Sequence, residues 1–212
     1  MNDAPPQILQ AILLLGPTGS GKTPLGDWLE RHGLGGRRCH HFDFGANLRA
    51  VAAAGPSSAF THEDIQFLQR VLTEGVLLEN ESFHLAARIL NGFVARHGVQ
   101  PGHWLVLNGL PRHVGQAQAL EQRVRVCTVA QLECDAGVVR ERLRRDPAGD
   151  RAVRTDDQTK LVVRKLGDYE ERTRPIVEYY RRRGVRVISF PVQVHTQPGE
   201  VARQFEQLAV NP

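Results

Sequence analysis

The octapeptide Gly16-Pro17-Thr18-Gly19-Ser20-Gly21-Lys22-Thr23 carries the residue types and spacing that point most directly to chemistry. Its glycines let backbone N–H groups converge on an anion with no Cβ in the way, and a helix starting behind them aims its positive end at the same point. The pattern Gly-x-x-x-x-Gly-Lys-[Ser/Thr] binds nucleotide phosphates: Lys22 is expected at the β- and γ-phosphates and Thr23 on Mg²⁺. Pro24 fits this reading, because the first turn of a helix needs no N–H at that position. Such a loop serves GTPases, ATPases and small-molecule kinases alike, so the acceptor has to be read elsewhere.

A phosphate loop has to hang between a buried strand and a helix. The continuous apolar run from Ile8 to Leu15 predicts a strand buried on both faces, and residues 23–31 follow at helical spacing. Further buried strands are predicted over 39–44, 104–107, 124–132 and 185–190. Between them lie helical stretches over 46–54, 61–74 with Thr61 as its cap, and 80–97, then a long stretch over 156–183 broken by Pro175. A last amphipathic helix covers 201–209. The alternation predicts an α/β, three-layer P-loop NTPase fold with a parallel five-stranded sheet, whose ligands lie beyond the carboxyl ends of the strands.

The 212 residues fit one domain, and 41% hydrophobic with 24% charged residues is ordinary for a globular protein. No apolar run reaches the roughly 20 residues of a membrane helix, and the N-terminus does not read as a secretory signal, so a cytoplasmic location is expected. Cys39, Cys127 and Cys134 form no Cys-x-x-Cys pair and are read as buried, reduced thiols. None of the nine histidines has metal-ligand spacing, and they are read as structural. The net charge of +4 suits an anionic ligand without calling for nucleic acid.

Four segments after the loop resemble the adenylate kinase and nucleoside monophosphate kinase family, in its order along the chain. His41 to Arg49 is similar to a segment ending Gly-Asp-x-Leu-Arg, and Glu74 to Glu81 to a Gly-x-Leu-Val-x-Asp-Glu turn. Asn108-Gly109-Leu110-Pro111-Arg112-His113-Val114-Gly115-Gln116-Ala117 resembles Asp-Gly-Phe-Pro-Arg-Thr-x-x-Gln-Ala, and Arg154-Thr155-Asp156-Asp157 resembles Arg-x-Asp-Asp. Lys165-Leu166-Gly167-Asp168-Tyr169 resembles a further Arg-Leu-x-x-Tyr.

The resemblance implies transfer of the γ-phosphoryl of ATP-Mg to a nucleoside monophosphate, with AMP favoured, by a monomer. It implies one domain over 1–212 with an acceptor-binding helical insert at about 45–80 and a short lid at about 143–154, without the cysteines of zinc-bearing lids. Arg49 and Arg112 would grip acceptor phosphate, Gln116 would bond the acceptor base, and Phe44, Gly45, Leu72, Leu78 and Gly109 would line its pocket. Arg142 would pack on the donor adenine, Arg144, Arg145, Arg151 and Arg154 would close over the triphosphate, and Arg154 with Lys165 would stabilise the phosphoryl group in flight.

Asn108 stands where the family carries an aspartate that holds the magnesium's water shell; its amide still accepts a hydrogen bond from that water but brings no charge, so low turnover is expected, rising in Asn108→Asp. Ala46 replaces another aspartate, Phe44 is bulky for its position, and Lys165 keeps a charge without the arginine fork. Two further readings stand beside the kinase: a small-molecule alcohol kinase using Asp43 as base, and an ATP-binding module with weak or no transfer.

Overall fold

The computed structural model describes residues 8–145 and 159–210. In chain order its elements are β1 (Leu9–Leu15), α1 (Lys22–His32), β2 (Cys39–Asp43), α2 (Phe44–Ala54), α3 (His62–Glu74) and α4 (Phe83–His97). They continue with β3 (Trp104–Asn108), α5 (Val114–Leu120), β4 (Val124–Glu133), α6 (Ala136–Arg145), α7 (Thr159–Asp168), α8 (Pro175–Arg182), β5 (Arg186–Pro191) and α9 (Pro198–Val210). All strand pairs are parallel, in the order β2-β3-β1-β4-β5.

The period of two along β1 divides the core into two layers. Ala11, Leu13 and Leu15 point to one face, packed with Phe42, Leu105 and Leu107 under α2, α3, α4, α5 and α8. Ile12 and Leu14 point to the other, with Val106, Ala130, Leu132 and Phe190 against α1 and α9. Burial on both faces is why the strands read as unbroken apolar runs. From β1 the chain crosses to β2 and β3 on one side and later to β4 and β5 on the other, so the topological switch lies at the carboxyl end of β1, where the phosphate loop begins.

Local chemistry sets the helix ends that flank this switch. Gly21, in the left-handed region at φ 97°, starts α1 without a side-chain cap, which leaves the first N–H groups of α1 to the loop. Asp43 caps α2, its Oδ1 accepting from Ala46 N at 2.9 Å. Thr61 and Asp64 form a reciprocal capping box at α3.

Three departures from the sequence reading have plain causes. The stretch expected as helix from 80 opens with a 3₁₀ turn over Asn80–Ser82 before α4. Of the stretch expected over 156–183, the described residues from 159 form two helices joined by a π turn, Tyr169–Thr173, in which Arg174 N donates to Tyr169 O; the ring of Pro175 removes a donor and crowds the turn before it, so α8 starts afresh there. Of the thiols only Cys39 is buried, its pKa pushed up to about 12 by desolvation. Cys127 falls where the β1–β4 register slips, between Thr128 and Val126, and is half-exposed, as is Cys134.

Candidate active site

The loop over 16–23 lies at the carboxyl end of β1 and curls back on itself. A Cβ on Gly16 would stand 2.7 Å from the carbonyl oxygen of Leu132, so the close passage of the loop over β4 requires glycine. The Lys22 ammonium donates to the carbonyls of Gly16 and Pro17, each at 2.7 Å, holding its charge over the loop. Gly16, Thr18, Gly19, Gly21, Lys22 and Thr23 line one wall of a cleft. Pro17 and Ser20 do not line it: Ser20 is 1% exposed, and its hydroxyl forms no hydrogen bond among the described residues.

Beside Thr23 the sheet register brings together residues far apart in sequence. Asn108 pairs with Leu14 on one side and with Asp43 on the other, which aligns the ends of β1, β3 and β2. Thr23 Oγ1 donates to Asp43 Oδ2 at 2.9 Å, and Asn108 Nδ2 lies 3.0 Å from Thr23 Oγ1 and 3.1 Å from Asp43 Oδ2. Behind them His41, 7% exposed, shares its Nδ1 proton with Asp27 Oδ1 at 2.8 Å and turns Nε2 toward Asn108 Nδ2 at 3.3 Å. The imidazole fits because Gly26 lies against it: a Cβ there would come within 2.3 Å of the ring. Hydroxyl and carboxylate at the phosphate loop offer oxygens suited to a hard divalent cation, and the Asn108 amide turns its Nδ2 toward both. Asp43 does not fit the role of alcohol base, because Oδ1 is spent on capping α2 and Oδ2 on Thr23 and Asn108.

The opposite wall comes from α2, α3 and the segments after α3 and β3. Phe44, Gly45, Leu72, Leu78, Gly109 and Arg112 all line the cleft, as do Arg49 and Gln116. Arg49 is exposed and makes no ion pair or hydrogen bond among the described residues. Leu78 is buried and Leu72 half-buried, and both pack into the α2–α3 side of the core while facing the cleft. Gln116 is not a surface helix residue: at 1% exposure it accepts from Arg112 N at 2.8 Å through Oε1 and donates to Leu78 O at 2.7 Å through Nε2. Its amide therefore sews the Arg112 loop to the Leu78 segment, a role that the sequence did not disclose. Thr173 completes the anchor by donating to Arg112 O at 2.7 Å.

On the donor side Arg142 lines the cleft at 5% exposure. Its Nε donates to Gly19 O at 3.0 Å, and Nη1 reaches the carbonyls of Gln193, Val194 and Thr196 at 2.8–3.2 Å. The guanidinium thus clasps the phosphate loop to the β5–α9 connection. Arg144 and Arg145 instead pair with Glu141 on the exposed face of α6 and do not line the cleft; the hydrogen bonds from both arginines pull the Glu141 carboxyl down to about 2. Lys165 and Tyr169 close the far side. Arg151, Arg154, Asp156, Asp157 and the lid beyond 145 lie outside the described residues. Arg172 grips Glu79 with both Nη groups at 2.6–2.7 Å, and Arg164 donates to Glu74 O at 2.9 Å, which ties α7 and the π turn to the end of α3.

One grouping of histidines emerges only in three dimensions. Glu30, His40 and His97 bring potential ligand atoms within 4.8 Å of one another, away from the cleft. His40 Nε2 is hydrogen-bonded to His103 Nδ1 at 2.9 Å, in keeping with a structural role.

No family model matches the chain. Among curated proteins it is 32% identical over 182 residues to an adenylate kinase of Synechococcus sp., covering 83% of this chain and 87% of the relative. It is 28% identical over 184 residues to an adenylate kinase of Parvibaculum lavamentivorans, covering 82% and 80%. An adenylate kinase of Brucella ovis matches at 29% over 205 residues, 91% of this chain and 96% of the relative. Likeness of this extent, on a parallel sheet whose central strand feeds a phosphate loop, shows that the chain belongs to the adenylate kinase family and is a nucleoside monophosphate kinase.

Proposed function

We propose that the protein transfers the γ-phosphoryl of ATP-Mg to a nucleoside monophosphate, with AMP the favoured acceptor. The observation that carries this reading is one cleft lined at one end by the phosphate loop with Lys22 and at the other by Arg49 and Arg112. Two polyanions repel, so fixed cations on both sides are what in-line transfer between them requires. The acceptor is already an oxyanion and needs no base, which agrees with the commitment of both Asp43 oxygens.

The backbone amides of the loop and Lys22 hold the donor phosphates, and Arg142 keeps that loop in place from behind. Thr23 would hold the magnesium ion, with Asn108 beside its water shell, and the bound ion would supply charge neutralisation to the donor phosphates. Arg49 and Arg112 present the acceptor phosphate, and Gln116 fixes the backbone of Arg112. The base rests against Phe44, Leu72 and Leu78, with the insert over about 45–80 as its housing. Lys165, together with Arg154 of the lid over about 143–154, meets the phosphoryl group in transit. Closure of that lid excludes water as a competing acceptor. The enzyme works as a cytoplasmic monomer with ATP and the monophosphate as its partners.

A screen of AMP, CMP, UMP, GMP and dAMP with ATP-Mg tests transfer and base choice together. Lys22-dependent formation of ADP and a nucleoside diphosphate, fastest with AMP, is expected. Tight ATP binding with no transfer to any of the five refutes the reading and leaves a nucleotide-binding module.

A further inference from the structure

We propose that Asp43 is the anionic partner of the nucleotide's divalent cation, doing from β2 what the family's aspartate does from the position of Asn108. The inference rests on the functional reading above only in taking Thr23 as the side chain that meets the cation.

The carboxylate stands where the cation needs it. Thr23 Oγ1 donates a hydrogen bond to Asp43 Oδ2, so hydroxyl and carboxylate oxygen face each other where the phosphate loop meets α1. The two oxygens are 2.9 Å apart. Neighbouring oxygens in a six-coordinate magnesium shell, with metal–oxygen distances of about 2.0–2.1 Å, are separated by about the same length. Thr23 and Asp43 can therefore occupy adjacent places in one shell without moving apart.

Asn108 then reads as the counterpart of Asp43. Its Nδ2 faces Thr23 Oγ1 and Asp43 Oδ2, with His41 Nε2 at 3.3 Å behind them. An amide with two N–H bonds suits those two oxygens. An aspartate at 108 would bring a second carboxylate to within about 3 Å of the first, and two such charges resist ionising together. Among the described residues the carboxylate beside Thr23 is that of Asp43, one strand along from position 108.

Capping alone does not account for Asp43. The cap of α2 uses Oδ1, and serine caps a helix about as well as aspartate does. Oδ2, turned to Thr23, is the atom that a cap leaves unexplained.

The test is Mn²⁺ binding to the protein carrying a non-hydrolysable ATP analogue, followed by the electron paramagnetic resonance signal of free Mn²⁺. It needs neither an acceptor nor turnover. Asp43→Ser keeps the cap and removes the charge, and Asp43→Asn does the same with the native shape. Either variant, once its thermal midpoint shows it folded, is expected to bind Mn²⁺ about ten- to hundredfold more weakly, with affinity for the metal-free analogue unchanged or higher. Asp43→Ser combined with Asn108→Asp is expected to regain Mn²⁺ affinity. Asn108→Asp alone should lower the metal-free thermal midpoint, and Mn²⁺ should restore it.

Native Mn²⁺ affinity in folded Asp43→Ser or Asp43→Asn overturns the proposal, as does an unchanged midpoint in Asn108→Asp. A protein that phosphorylates no nucleoside monophosphate yet shows the Mn²⁺ losses abandons the proposed function and keeps this inference. Intact transfer with unaltered Mn²⁺ binding in the Asp43 variants does the reverse.

Discussion

Replacing Gln116 by methionine separates anchoring of the Arg112 loop from direct reading of the acceptor base. Methionine keeps the length and much of the volume of the side chain, so cavity effects stay small. Arg112 N–H loses its acceptor at 2.8 Å, and leaving a buried donor unpaired costs about 1–3 kcal/mol. Leu78 O loses the 2.7 Å bond from Nε2 but keeps His113, whose Nδ1 accepts from Gln116 N, leaving Nε2–H to donate to Leu78 O at 3.1 Å. That second loss is nearer the net worth of one hydrogen bond, about 0.5–1.5 kcal/mol. Together they destabilise the protein by about 2–4 kcal/mol. At about 2–4 °C per kcal/mol for a chain of this size, the thermal midpoint should fall by about 4–16 °C, read by calorimetry or circular dichroism. Because Gln116 and Thr173 are the clamps on the Arg112 backbone, KM for the acceptor should rise while KM for ATP holds. A midpoint within about 2 °C of the parent, with acceptor KM raised all the same, would refute anchoring and leave base contact as the role of the amide. A parallel rise in KM for ATP would refute the confinement of the effect to one end of the cleft.

Two further outcomes follow from the same contacts. Arg142→Lys keeps the charge but loses the fork that spans Gly19 and the 193–196 carbonyls, so KM for ATP should rise at least about tenfold while acceptor KM stays put; equal rises in steady-state kinetics would count against the clasp. The Arg172 hydrogen bonds hold the Glu79 carboxyl below its ordinary 4.5. A depressed carboxylate contributes stability that is present above the unfolded-state pKa and is lost as pH falls through the folded one. The difference in thermal midpoint between the native protein and Glu79→Gln should therefore be constant from pH 7 to about pH 5 and shrink below 4.5; a difference that grows on acidification would refute the pairing.

The phosphate loop was legible in the sequence because its chemistry is local. Eight consecutive residues hold all the glycines, the lysine and the hydroxyl, and the strand before them announces itself by unbroken apolar character. The cap at Thr61 and the break at Pro175 are likewise within a few residues of what they control. The sheet, its parallel sense and the placing of Arg49, Arg112 and Lys165 on one cleft were also within reach, since the order of motifs along the chain implies them.

What tertiary structure alone decided are contacts across the sheet and between distant segments. Asp43 and Asn108 meet beside Thr23 at the start of α1 because of strand register, and a slip of one residue would turn either strand's side chain to the opposite face. In the linear sequence Asn108 is a lost charge and Asp43 the base of an alternative alcohol kinase; side by side, they make one acid and one amide. Gln116 and Arg142 line the cleft and also hold protein partners that their motifs do not name, Leu78 for the first and the Gly19 and 193–196 carbonyls for the second. Sequence determines which groups are available and where the chain must turn. Which of them end within 3 Å of one another depends on long-range packing, because sheet register and helix docking set the distances between segments far apart in the chain.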